Sequence, residues 1–483
     1  MGFAARTALL FALAFGTLGA NRNDSPTSEL LQRMSAAAGP IWRTRFISVS
    51  RLTLGHEQNL VSSDSEGLRI NVRHCTGDLC TGSYFDGIHL YAVNMNGTAL
   101  PEATGPEPFL RALRLVASLQ FLSPSFSAQG GRIGGAGDAS FGGRRYHTLV
   151  VGAVNSVPLR VYVDPQSALV RAAREIGGPE TFEYRDYRRI GRFNLPFVVL
   201  HDGQLFERYD NRAPVSSAFE PPRGLVPSVT APQTLPTDPN AITPIVDCSV
   251  GGIAVRCLVD TGNSGISMSS ELASRLAAPV VGTYQIRGLG GYQAQVVRAG
   301  PLRLGSATYP EAYYAVLSDL RRYGYDVVLG ADVLAGSNVQ FDAAAHAIRF
   351  GVPIAKSRIT VPLSFENFIP VIDVNLGTVQ ATLAVDTGDE SNINLTYEFY
   401  AKHPGLFSVT QRRSVSGIGG SSVELIGEIP QVRIGDYRTG PQRIGTTQNL
   451  AATAFGHIGA AFLQQFVVQL DYAAAQLHLT PRS

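Results

Sequence analysis

Polar and apolar positions alternate with a period of two along much of the front of this chain, the pattern of strands that bury one face. Leu68-Arg69-Ile70-Asn71-Val72-Arg73 and Leu159-Arg160-Val161-Tyr162-Val163-Asp164 are clear cases. Trp42 to Val49, Tyr146 to Val151, Ala168 to Ile176 and Thr181 to Tyr187 continue the pattern, after one helical stretch at Ser28 to Ala38. From about residue 233 the pattern changes. Strand-length runs there become wholly apolar toward their ends, as in Leu258-Val259 and Leu383-Ala384-Val385, and read as apolar strands. Between the two regions, Pro214, Pro221, Pro222, Pro227, Pro232, Pro236 and Pro239 predict an extended linker. Gln129 to Gly137 is rich in glycine but lacks the Lys-Ser/Thr ending of a phosphate loop, so it reads as a plain loop.

The two apolar runs that end in Leu258-Val259 and Ala384-Val385 each lead into Asp-Thr-Gly: Asp260-Thr261-Gly262 and Asp386-Thr387-Gly388. The surroundings match in register. Thr234-Leu235-Pro236 and Thr360-Val361-Pro362 stand at the same offset of 126 as the two aspartates. After a three-residue insertion the offset becomes 129, which relates Gly288-Leu289-Gly290-Gly291 to Gly417-Ile418-Gly419-Gly420 and Val328-Leu329-Gly330-Ala331 to His457-Ile458-Gly459-Ala460. An internal repeat of about 120 residues predicts two copies of one structural unit around a pseudo-two-fold axis. Two carboxyl groups brought within about 3 Å at such an axis cannot both ionise, and so share a proton. One can then deprotonate a water while the other protonates the carbonyl under attack, which is general acid-base hydrolysis of an amide.

These motifs resemble the retropepsin-like aspartic proteases, in particular bacterial single chains with two fused Asp-Thr-Gly halves. The resemblance implies a mainly β fold: duplicated acid-protease barrel halves over residues 233–350 and 351–483, behind a β-rich N-terminal domain at 25–212 and a Pro-rich linker at 213–232. It implies Asp260 and Asp386 as the catalytic dyad, with Thr261 and Thr387 exchanging hydrogen bonds beneath it and Gly262 and Gly388 permitting the turns. Gly288, Leu289, Gly290 and Gly291 would form one flap over a peptide substrate, and Gly417, Ile418, Gly419 and Gly420 the other. No cofactor or metal is expected. Where the family carries a small residue after the triplet, this chain has Asn263 and Asp389; Asp389 and Glu390 would add negative charge near the dyad. His457, a lone histidine in an apolar run, reads as a packed residue outside the site. The front domain resembles, weakly, the half-barrels of periplasmic lipoprotein carriers.

Charge and cysteines set the surroundings. With 40 basic and 38 acidic residues among 483, the net charge of +2 offers no electrostatic footprint for nucleic acid. Residues 1–20 read as a signal peptide, with Arg6 before an apolar stretch that ends in small residues, and no later run has the length of a membrane span. A periplasmic or secreted location follows. It agrees with four cysteines in two close pairs, Cys75 with Cys80 and Cys248 with Cys257, read first as disulfides, although buried free thiols at 248 and 257 stay open. The expectation is an exported aspartic endopeptidase, a monomer with pseudo-two-fold halves. The alternative is a non-catalytic periplasmic protein that binds a peptide or apolar ligand on the same fold.

Overall fold

A computed structural model describes residues 25–40, 45–51, 58–64, 69–86, 89–101, 115–117, 119–153, 156–215, 220–228, 232–318, 320–354, 357–448, 450 and 454–482. The expected signal peptide lies outside the described residues. The fold is mainly β and divides into two compact units, one made of residues 1–92 and 104–222, the other of 93–103 and 223–483.

The first unit is a long antiparallel meander. Its strands run in spatial order from Leu79–Phe85 through Arg69–Thr76, Gln58–Asp64, Arg45–Arg51 and Gln204–Val215, then back strand by strand to Arg132–Phe141. The alternation seen in the sequence places side chains on the two faces of this sheet: in Leu159–Val163, Leu159, Val161 and Val163 are buried in the larger cluster, while on the other face Arg160 is exposed and Tyr162 is buried with Tyr146 and Ala172. Helix Ser25–Ala38 places Leu30, Met34 and Ala38 in the same apolar cluster as Phe121, Phe126, Val161, Phe182 and Leu195, so the helix covers the inward face. Cys75 and Cys80 stand directly opposite one another across the hairpin whose turn is Gly77-Asp78, and they are bridged. The Gly-rich segment at 129–137 corrects the loop reading. Only its start is a turn; Arg132–Phe141 is a strand on Arg144–Gly152, with a bulge between Gly134 and Gly137. Cross-strand hydrogen bonds hold it extended despite its composition, and Gly135 takes the positive φ of 60°.

The second unit contains two sheets of the same strand order. In the first half the order is Val280–Arg287, Gly291–Ala299, Ala312–Leu317, Ile266–Ser269, Val327–Leu329, Ile253–Val259, Ile245–Val250, Leu302–Leu304 and Ala307–Tyr309. In the second half Gln411–Gly417, Gly420–Ile429, Gln442–Thr447, Ile393–Thr396, Gly456–Ile458, Val379–Val385, Ile369–Leu376, Val432–Ile434 and Tyr437–Arg438 follow in the same sequence. A six-stranded antiparallel sheet joins the halves through the pairing of Asn338–Asp342 with Phe466–Asp471 at its middle. Its outer strands are Gln233–Pro236 and Ile359–Pro362, the two segments that match in sequence. One apolar core runs through both halves and includes Val259, Leu329, Val385 and Ile458, all essentially without exposure. Cys248 and Cys257 are bridged, where the second half has the buried pair Val374 and Leu383.

The short stretch 93–103 belongs to this unit although it is remote in sequence. Leu100 sits in its apolar core, and Asn94, Asn96 and Thr98 converge on the buried carboxylate of Asp332. Asn94 Nδ2 and Thr98 Oγ1 each donate to Oδ1 at 2.6 Å, and Asn96 Nδ2 donates to Oδ2 at 2.6 Å. Burial pushes the Asp332 carboxyl up, and the three donors oppose that shift. Leaving a buried acceptor one donor short costs about 1–3 kcal/mol, so Thr98→Val should lower the urea-unfolding free energy of the chain by that amount. An unchanged midpoint would mean that these bonds contribute nothing net.

Candidate active site

Each Asp-Thr-Gly loop forms where an apolar strand leaves a parallel pair. Leu258 and Val259 pair with Val328 and Leu329, and the ladder ends as Asp260 N donates to the Leu329 carbonyl at 2.9 Å. In the second half Ala384 and Val385 pair with His457 and Ile458, and Asp386 N donates to the Ile458 carbonyl at 3.0 Å. The chain then turns. Ala331 N donates to the carbonyl of Asn263 at 3.0 Å and Ala460 N to that of Asp389 at 2.7 Å, so short helices Ala331–Leu334 and Ala460–Leu463 brace the two loops in the same way.

The threonines lock the loops to each other. Thr261 Oγ1 donates to the Val385 carbonyl at 2.5 Å, and Thr387 Oγ1 donates to the Val259 carbonyl at 2.9 Å. In return Thr261 N donates to Thr387 Oγ1 at 3.1 Å and Thr387 N to Thr261 Oγ1 at 3.0 Å. Both threonines are buried, so the four bonds are shielded from water. The glycines show how close the approach is: a Cβ on Gly262 would overlap the Asp386 carboxyl, and one on Gly388 would overlap the Asp260 carboxyl.

Each carboxyl lies against the glycine of the other loop, so the two groups face one another and act on each other's titration. Burial first, and then the Asp386 charge, push Asp260 well above the usual carboxylate range; burial also raises Asp386. The same field reaches Tyr325, whose phenol is pushed up by burial and by the charges of Asp260, Glu390 and Asp386. Asn263 and Asp389, which follow the triplets, differ in their partners. Asp389 accepts from Ser391 Oγ at 2.7 Å and Ser391 N at 2.9 Å, while the buried Nδ2 of Asn263 has no hydrogen-bond partner.

The two Gly-rich segments expected as flaps form hairpins whose tips touch. Val280–Arg287 and Gly291–Ala299 form one, Gln411–Gly417 and Gly420–Ile429 the other, and Leu289 N donates to the Ile418 carbonyl at 2.8 Å. Side chains are excluded there, since a Cβ on Gly290 would overlap the Gly419 carbonyl oxygen. Ile286 and Tyr292 from the first hairpin and Ile418 from the second pack on an apolar cluster of Ile245, Leu258, Leu317, Leu320 and Val328.

His457 is a correction to its reading as an uninvolved packed residue. It is half-buried, and its Nδ1 lies 3.3 Å from Asp386 Oδ2 and 3.7 Å from Asp389 Oδ2. A histidine in an apolar strand where the other half has Val328 was the available sign, because the strand it occupies runs beside the one that ends in Asp386. Asn94, Asn96 and Thr98 carried no comparable sign, since nothing in sequence ties them to residues more than two hundred positions away.

Fold and loops together define the class: a β protein in which two Asp-Thr-Gly turns are locked face to face beneath paired hairpins. Residues 246–333, which hold the first of these turns, match a family model described as aspartyl protease. No curated protein matches the chain.

A buried carboxyl with a raised folded-state value stabilises the fold fully below its unfolded value of about 3.9, and that contribution is lost as pH rises through the folded value. The parent should therefore lose stability between about pH 4 and neutrality. Asp260→Asn, which removes the titration, should flatten that slope, so that its stability relative to the parent is greater at neutral pH than at about pH 4. Melting temperatures of both proteins across this range decide the point; parallel curves would show that Asp260 titrates normally.

Proposed function

We propose that this chain is an aspartic endopeptidase, with Asp260 and Asp386 as its catalytic pair. The observation that carries this reading is the exchange between Thr261 and Thr387, which holds the two loops so that each aspartate carboxyl lies against the glycine of the other loop. Such a pair holds one proton between them at pH values where isolated carboxylates are ionised. A water between the carboxyls gives a proton to the ionised member as it attacks the scissile carbonyl carbon. The protonated member gives its own to the carbonyl oxygen, and a neutral tetrahedral diol results. On collapse the C–N bond breaks, the nitrogen takes the proton acquired from water, and a diol hydroxyl returns its proton to the pair.

The substrate in this reading is an extended peptide. The hairpins at 280–299 and 411–429 are the flaps, and their tip backbone at Gly288 to Gly291 and Gly417 to Gly420 offers hydrogen-bonding groups to a strand-like ligand. The two halves complete one site in a single chain, so the active form is a monomer. Export to the periplasm or medium is part of the proposal and is supported by the two disulfides, Cys75–Cys80 and Cys248–Cys257. Among the described residues no helix is long and apolar enough to cross a membrane.

Asp260→Asn and Asp386→Asn should each reduce cleavage of a peptide library by about 100-fold or more, because each removes one partner of the shared proton at nearly constant volume. Circular dichroism should show both variants folded. Parent-level turnover in either one would overturn the assignment of the pair, and tight peptide binding by an uncleaving parent would identify a binding protein instead.

A further inference from the structure

The two halves of the dyad are not electrically equivalent. Asp260 receives one backbone N–H, from Gly262 at 2.7 Å to Oδ1. Asp386 receives two on Oδ1, from Gly388 at 2.9 Å and Asp389 at 3.1 Å, and its other oxygen faces His457 Nδ1 at 3.3 Å. Donors directed at a carboxyl favour its ionised form, so the extra backbone donor and the imidazole favour charge on Asp386, while the Asp389 carboxylate opposes it. His457 is the largest of these differences. Its counterpart by register is Val328, buried and unable to carry charge.

We propose that His457 is a positioning residue that breaks the symmetry of the dyad: as an imidazolium held between Asp386 and Asp389, it keeps Asp386 ionised and the shared proton on Asp260. This rests on the proteolytic reading above and assigns roles within it. Asp386 becomes the base that takes the proton of water, and Asp260 the acid that donates to the carbonyl oxygen. The groups that act on the imidazole are Asp386 and Asp389 from its own half and Asp260 from the other. Its cross-strand neighbours, Ala384 and Asn394, carry no charge.

The titration directions agree with the geometry. Burial alone would lower the imidazole, but the nearby Asp389 carboxylate at 3.7 Å and the charges of Asp386 and Asp260 outweigh that and raise it. Asp389, despite its burial, is lowered through its contact with His457 and stays ionised. On Asp386 the lowering by His457 exceeds the raising by Asp389, and Asp260 is the member pushed furthest up. Asp389 thus serves to keep His457 charged as well as adding negative charge of its own.

Two measurements test this on the full chain. In the first, the His457 imidazole is followed by NMR against pH in the parent and in Asp386→Asn. The parent should titrate above the ordinary value of about 6.5 and the variant should titrate lower, by about one unit. In the second, pH–rate profiles are compared for Asp389→Asn and for Asp389→Asn with His457→Gln, a background in which the neighbouring carboxylate no longer titrates. Loss of the cation should move the acidic limb toward higher pH by about one unit. An imidazole unmoved by Asp386→Asn, or coincident acidic limbs, would overturn the proposal. A parent that cleaves nothing would sink the proteolytic reading instead, and the NMR titration would still decide whether His457 and Asp386 are coupled.

Discussion

The structure around the site depends on one constraint: two buried carboxyl groups must be held closer together than their charges would allow in water. Nothing in the carboxyls themselves supplies that force beyond the single proton they can share. The restraint comes from beneath, where Thr261 and Thr387 exchange backbone and hydroxyl hydrogen bonds across the pseudo-axis. Above them the glycines leave no atom to keep the loops apart. The six-stranded sheet and the continuous apolar core then keep the halves from rotating relative to one another. Each layer acts by preventing a relaxation that would separate the charges, and the cost appears as the raised proton affinity of both aspartates.

Much of this was legible in sequence because it was written twice. A single Asp-Thr-Gly says little, but two in register, each preceded by an apolar strand and followed by a Gly-rich tip and a Gly-Ala helix start, fix the strand order of two sheets that prove identical. The two Gly-rich hairpin tips stood out in sequence for the same reason. In the first unit, alternation located the strands because one face carries the main apolar cluster and the other is largely polar, and it failed at Arg132–Phe141, where a run of glycines offered no pattern to read. The cysteine pairs were visible as short loops, and hairpin register brings each pair together.

What sequence did not yield were interactions that exist in only one copy. His457 has no counterpart in the first half, and the repeat, which made everything else visible, made it look like a neutral exchange for Val328. Its significance lies in which strand it stands beside, a fact of parallel pairing between segments some seventy residues apart. Asp332 is similar: its repeat counterpart is Ala461, and its three donors come from a stretch near the front of the chain. Divergence between copies marks the positions where each half acquired a task of its own.

The stretch from Val93 to Ala103 has a consequence for how the chain is made. During synthesis these residues leave the ribosome long before the strands that will surround them, and they must wait, polar side chains unsatisfied and Leu100 uncovered, until residues 223–483 are complete. A ribosome product that started at the proline-rich linker would contain every residue of both Asp-Thr-Gly loops, yet it would lack a piece of its own interior. Conversely, a nick between the two units after folding would leave an eleven-residue passenger held only by packing and hydrogen bonds. The boundary between the units is therefore drawn in space and not along the chain.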